Sequence, residues 1–184
     1  MTPEQLTATM CGHGALRMVA KRLAPNDNSK NQYFLGRNYT AIQLLPFGAL
    51  REDNTVAAGS KKERLKADVT LDWITATGSL ERAEGANLIL YPKYPEVRLS
   101  GLLDGVRDRT HAAVVGPRAS GRWLFLGITS GGTIVAFACA ADSSCARWAE
   151  EMVAAGRTTP TGVFHEFILA PAGRDDVMTA LRKI

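Results

Sequence analysis

The sequence predicts a mainly β fold with flanking helices (α+β), many short strands forming a barrel or sandwich whose ends are plugged by helices. Three observations predict it. Apolar and polar residues alternate through Ala67–Thr75, where Val69, Leu71 and Trp73 are interleaved with Thr70 and Asp72. Compact apolar runs such as ANLILY and TIVAFACA are short and bounded by turn-forming residues. Helix start and stop signals are confined to a few stretches. A chain of 184 residues with 46% apolar and 22% charged residues has the composition of one globular domain. At that size roughly 70% of the unfolded chain's surface can be buried without a disulfide or metal staple.

The elements follow in order. Thr2-Pro3-Glu4 is a helix start, with Thr as cap, Pro at the first helical position and Glu in the first turn, and Gly12 and Gly14 end that helix early. Ala15–Leu23 fits either helix or strand by pattern and is read as a strand, followed by the turn cluster Pro25-Asn26-Asp27-Asn28-Ser29. From Gln32 to Leu50 the aromatic and aliphatic residues are broken by Gly36, Asn38, Pro46 and Gly48, which suits short strands and tight turns. RWLFLGI, then Thr129-Ser130-Gly131-Gly132, then TIVAFACA reads as a hairpin. Asp142 and Ser143 can cap a second helix, SCARWAEEMVAA, that runs towards Gly156. GVFHEFIL is a last strand, and Asp175 to Ile184 has Val177, Met178, Leu181 and Ile184 spaced as on a helix.

Cysteine and charge bound the setting. The three Cys, at 11, 139 and 145, are too few and too oddly spaced for a disulfide framework. The first residues lack the basic and apolar pattern of an export signal, and no run approaches the roughly 18 apolar residues of a membrane span. A cytoplasmic protein without a membrane partner is expected. The net charge of +4 is compatible with a polyanion. Arg17, Lys21, Arg22, Lys30 and Arg37 stand against the single Asp27, and Lys61, Lys62, Arg64 and Lys66 crowd around Glu63. Such runs are either a solvated face or a polyanion surface.

The common catalytic patterns are missing from the sequence. It has no Gly-Lys-Ser or Gly-Lys-Thr phosphate loop, no Gly-x-Ser-x-Gly elbow and no His-Glu-x-x-His helix. His13, His111 and His165 are scattered, and Cys139 and Cys145 read as core residues rather than zinc ligands. No Asp-x-Lys or Glu-x-Lys occurs; the nearest approaches are Glu63-Arg64-Leu65-Lys66, one residue too long, and Glu96-Val97-Arg98, whose Arg cannot act as a tunable group beside an attacking water. Cleavage by this chain alone is therefore not expected, and it needs no cofactor of its own.

Two polar segments remain. Asn26 to Tyr33 carries Asn28, Ser29, Lys30, Asn31 and Gln32, whose side chains suit adenine edges and phosphates and equally suit simple turns. Tyr91 to Arg98 is stiffened by Pro92 and Pro95 and carries Lys93, Tyr94, Glu96 and Arg98. A Glu can accept from the cytosine amino group and an Arg can fork onto guanine; the alternative is an ion pair within the strand.

Lys21-Arg22-Leu23-Ala24-Pro25-Asn26-Asp27, followed by Gln32, resembles the start of the N-terminal effector domain of EcoRII-type restriction endonucleases. Glu96-Val97-Arg98 falls where that family has a charged Glu-x-Arg segment. LAPNDNSKNQ and LILYPKYPEVRLSG are similar to the N-terminal regions of proteins that end in an MvaI- or BcnI-type nuclease. The resemblance spans most of the chain in order, its specific parts confined to these phrases. It implies a plant B-three-like DNA-binding pseudobarrel of about seven short strands, occupying residues 1–173. Residues 174–184 would then begin a helix or linker towards a C-terminal nuclease domain, and any Mg²⁺ would belong to that domain. It also implies two arms in the major groove of a CC(A/T)GG duplex, Asn26 to Tyr33 with Arg37 nearby, and Lys93 to Arg98. Lys30, Lys93 and Tyr94 would hold phosphates, and Lys61, Lys62 and Arg64 would extend the basic face. The N-terminal loop is shorter than the family's Gly-rich form and lacks its His. Tyr-Pro-Lys-Tyr-Pro replaces a denser basic cluster.

Two rival functions are defined by other residues. An autonomous nuclease or phosphodiesterase would use Glu63, Asp68 or Asp72 with a metal. A module binding protein or carbohydrate would expose Trp73, Trp123 and Trp148, which sit in patterns that favour core burial.

Overall fold

The opening residues form the capped helix that their spacing predicts. Helix α1 (Pro3–Gly12) starts on a capping box in which Thr2 accepts from the Gln5 amide and Gln5 accepts from the Thr2 amide. It stops at His13, and Gly14 takes φ +83°, a left-handed turn into the first strand. The structure, a computed structural model, describes residues 1–24, 27, 32–36, 45–53, 64–92, 96–107 and 122–155, and the backbone of 165–168. The expected helix over Asp175–Ile184, the stop at Gly156, and His111 lie outside the described residues.

Eleven strands and a second helix follow among the described residues. The strands are β1 (Ala15–Arg22), β2 (Gln32–Gly36), β3 (Arg51–Glu52), β4 (Leu65–Asp68), β5 (Thr70–Ile74), β6 (Leu80–Ala83), β7 (Asn87–Tyr91), β8 (Glu96–Ser100), β9 (Trp123–Thr129), β10 (Thr133–Cys139) and β11 (His165–Ile168); α2 spans Ser144–Ala154. A back sheet of six strands has the order β11-β1-β9-β10-β5-β6, and a front sheet of five has the order β2-β8-β7-β4-β3. All pairings are antiparallel except that of β10 with β5.

The strand count exceeds the expectation of about seven partly because one alternating run serves two sheets. ADVTLDWI leaves the front sheet at Asp68, turns at Val69, whose amide donates to the Ala86 carbonyl at 3.1 Å, and enters the back sheet at Thr70. Ala15–Arg22 is the strand expected of it. A bulge between Ala15 and Arg17 leaves Leu16 half exposed. The hairpin of β9 and β10 turns through Gly132 at φ +77°, where the Thr129 hydroxyl accepts from the Thr133 amide at 3.0 Å.

Alternation along the strands sorts the core into two layers. Between the sheets lie Val19, Leu124, Leu126, Ile134, Leu71 and Trp73 from the back, and Tyr33, Leu35, Leu88, Val97 and Leu99 from the front. The opposite face of the back sheet gives Met18, Ala20, Trp123, Phe125 and Val135, which meet Leu6 and Met10 of α1 and Cys145 and Ala149 of α2. Helix α2 starts where expected, with the Ser143 hydroxyl accepting from the Ala146 amide. The layers are thus helices, back sheet and front sheet. One face of the front sheet has no layer of described elements over it.

Candidate functional site

Since Ala67, Leu88, Val97, Leu99 and Tyr33 of the front sheet point into the core, the residues between them share its outer face. Strand register arranges these in three rows. Arg51 stands opposite Lys66, Lys66 opposite Ile89, Ile89 opposite Arg98 and Arg98 opposite Phe34. Asp68, Asn87, Ser100 and Gln32 form the row on one side. On the other side Tyr91 stands opposite Glu96, and the Asp53 amide donates to the Arg64 carbonyl at 3.1 Å just beyond β3 and β4.

Arg98 is the hub of this face. Its Nε donates to Glu96, its Nη1 donates to Gln32 Oε1 at 3.2 Å, and its guanidinium lies 5.6 Å from the centre of the Tyr91 ring. The two segments singled out by composition therefore converge on one guanidinium, Gln32 from the first and Tyr91, Glu96 and Arg98 from the second. The ion pair within the strand, one of the two alternatives for Glu96 and Arg98, does form. The segments reach the sheet at opposite ends, because Gln32 pairs with Ser100 whereas Tyr91 pairs with Glu96. Four residues at ~3.4 Å each separate those ends by about 14 Å.

The base of the first segment is fixed by a residue that sequence reasoning passed over. Asp27 is buried and receives Lys21 Nζ at 2.7 Å, the Ala24 amide at 2.8 Å and the Phe34 amide at 2.9 Å. Asp27 so bridges β1 and Ala24 to β2. Burial pushes the Lys21 pKa down, and the Asp27 carboxylate opposes the shift. The available signal was a lone Asp between two cation-rich stretches, and an Asn-Asp-Asn turn hides it.

Tyr33 is a correction. Expected among the DNA-contacting side chains, it is 1% exposed and packs between the sheets opposite Leu99. Two-residue periodicity decides this, since Gln32 and Phe34 take the outer face. Burial, and then the Asp27 charge, push its phenol pKa above the ordinary range. Of the other expected contacts, Asn26, Asn28, Ser29, Lys30, Asn31, Arg37, Lys93 and Tyr94 lie outside the described residues, as do Lys61 and Lys62.

Arg64, expected as part of a basic face, is paired with Asp53. Partial burial works against its charge, and the Tyr91 phenol and the Asp53 carboxylate outweigh it and raise its pKa. Lys66 reaches the same Asp53 carboxylate at 3.1 Å. Neither Asp53 nor Tyr91 was foreseen in this role.

The residues of the rival readings are placed as follows. Asp68 takes both terminal nitrogens of Arg51 at 2.6 Å, which holds its pKa below the ordinary carboxylate range. Asp72 is paired with Arg82 in the back sheet. Glu63 lies outside the described residues. Trp73 and Trp123 are fully buried, and Trp148 is partly buried and stacks on Phe125 at 6.1 Å. Cys139 and Cys145 are core residues, as expected, and burial pushes the Cys145 thiol up to about 12. No helix among the described residues is long and apolar enough to cross a membrane. No protein-family model matches the chain, and no curated protein sequence matches it.

Proposed function

We propose that this chain is a sequence-specific double-stranded DNA recognition domain of the B-three-like pseudobarrel type, serving a separate nuclease domain as effector or targeting module. The observation that carries the reading is the convergence of Gln32, Glu96 and Arg98 on the outer face of the front sheet. Arg can fork onto guanine O6 and N7, Glu can accept from cytosine N4, and Gln can serve adenine, so the trio matches the edges exposed in a major groove. The spacing also supports it. The two segments join the sheet about 14 Å apart, and the major groove is about 12 Å wide, so arms from those points can flank one groove with Arg98 between them.

In this reading Asn28, Asn31 and Gln32 supply base or phosphate contacts, Lys30, Lys93 and Tyr94 hold phosphates, and CC(A/T)GG is the site read. The domain uses no metal; Mg²⁺ serves the nuclease. The test is equilibrium binding to a CC(A/T)GG duplex and a scrambled duplex at two salt concentrations without metal. Specific readers discriminate by about 10³-fold or more. Arg98→Ala should weaken the CC(A/T)GG complex by about 1–3 kcal/mol and leave the scrambled one little changed. Equal, salt-labile binding to both duplexes would overturn the reading.

A further inference from the structure

We infer that Arg64 and Lys66, both held by Asp53 and set beside Tyr91, form a binding site for a phosphodiester backbone next to the Arg98 hub. The site deepens the DNA-recognition reading and rests on it for the identity of its ligand.

Charge stoichiometry is the first argument. Among the described residues, the other ion pairs on this face are one to one, Arg51 with Asp68 and Arg98 with Glu96. At Asp53 two cations share one carboxylate, Arg64 Nε and Lys66 Nζ, the latter at 3.1 Å. The Asp53 side chain is 4% exposed, whereas Arg64 and Lys66 are 22% and 29% exposed. The anion is thus covered and the cations reach solvent, so positive charge faces outward there. One carboxylate also fixes both cations, so less side-chain entropy remains to be lost when they meet an anion.

Continuity is the second argument. Strand register sets Tyr91 beside Arg64, since Leu65 pairs with Leu90, and the Tyr91 ring lies 5.6 Å from the Arg98 guanidinium. Two strand spacings and a two-residue offset put the Arg64 and Arg98 backbones about 12 Å apart. Cationic positions repeated along one face at that backbone spacing suit a polymer with repeated charges. Arg98 then faces base edges while Arg64 and Lys66 fix the register of the duplex, the usual division between specifying and positioning contacts.

The experiment compares wild type, Lys66→Met and the control Arg147→Met, an exposed cation on α2, binding both duplexes over a salt series. In parallel, the Arg64 Nε–H resonance is followed by NMR during titration with the scrambled duplex and with inorganic pyrophosphate. Loss of one phosphate contact should flatten the log–log salt slope by about 0.9. Lys66→Met should show that change, weaken both duplexes equally and keep their ratio, while Arg147→Met keeps the wild-type slope. The Arg64 resonance should move with both ligands. A Lys66→Met slope equal to wild type, with an unmoved Arg64 resonance, would overturn the site. Should wild type bind neither duplex, the DNA reading fails and pyrophosphate decides: a shifted Arg64 resonance upholds an anion site, and an unmoved one removes it.

Discussion

Lys21→Met tests whether the Asp27 clamp holds the fold as a charge pair or merely as packing. Met keeps an apolar stem of nearly the same reach, so the buried volume at residue 21 changes little. What is lost is the ammonium 2.7 Å from a carboxylate that is itself buried. Removing one partner of a buried pair costs about 3–5 kcal/mol, because the other charge stays behind uncompensated. With a urea m-value of ~2 kcal/mol per M, the unfolding midpoint should fall by about 1.5–2.5 M. Trp fluorescence reports the transition, since Trp73 and Trp123 are fully buried. Adding Asp27→Asn to Lys21→Met removes the stranded charge but leaves an oxygen for only one of the Ala24 and Phe34 amides, which now donate to different Asp27 oxygens, so the double variant should regain only part of the loss. A double variant no more stable than Lys21→Met would refute the electrostatic account. Arg51→Met breaks an ion pair whose members are 59% and 68% exposed and should leave the midpoint unchanged.

Two further predictions concern the core and the turns. Gly101 has φ +70° and a Cβ there would overlap the Gly85 carbonyl, so Gly101→Ala should cost about 2–4 kcal/mol in urea unfolding. Gly78→Ala, at φ +80° with open space around it, should cost only about 1 kcal/mol. Burial pushes the Cys145 thiol from its ordinary value near 9.0 up to about 12. Below pH 9 both states hold the proton; above it the unfolded state releases it first, so stability should fall as pH rises from 9 towards 12. Urea midpoints of Cys145→Ala should decline less over that interval than those of wild type.

Local signals made most of the fold readable. The Thr2 cap, the Gly12–Gly14 stop, the Ser143 cap and the turn at Gly132 are each decided within a few residues, and the structure has all of them. The number of strands was less readable, because nothing in ADVTLDWI marks Val69 as a corner. The run keeps its alternation while changing sheets, and only pairing with β7 on one side of Val69 and β10 on the other divides it. The back-sheet order was unreadable for the same reason, as β10 lies parallel to β5 across a long stretch of chain.

The site shows the same division between local and distant causes. Glu96 and Arg98 lie two apart on a strand and so share a face, which their spacing already implied. That Gln32 meets them depends on β2 lying against β8 in a register that puts Gln32 opposite Ser100, and a one-residue slip would have sent Gln32 inward and Tyr33 outward. Tyr33 was misassigned because the register was unknown. The observed ion pair and the proposed base readout are not opposed. Binding would exchange the Glu96 and Gln32 contacts of Arg98 for a guanine edge, so the net gain on the right base is modest. On a wrong base the same guanidinium would surrender those contacts without finding two acceptors, and discrimination in this design comes chiefly from that loss.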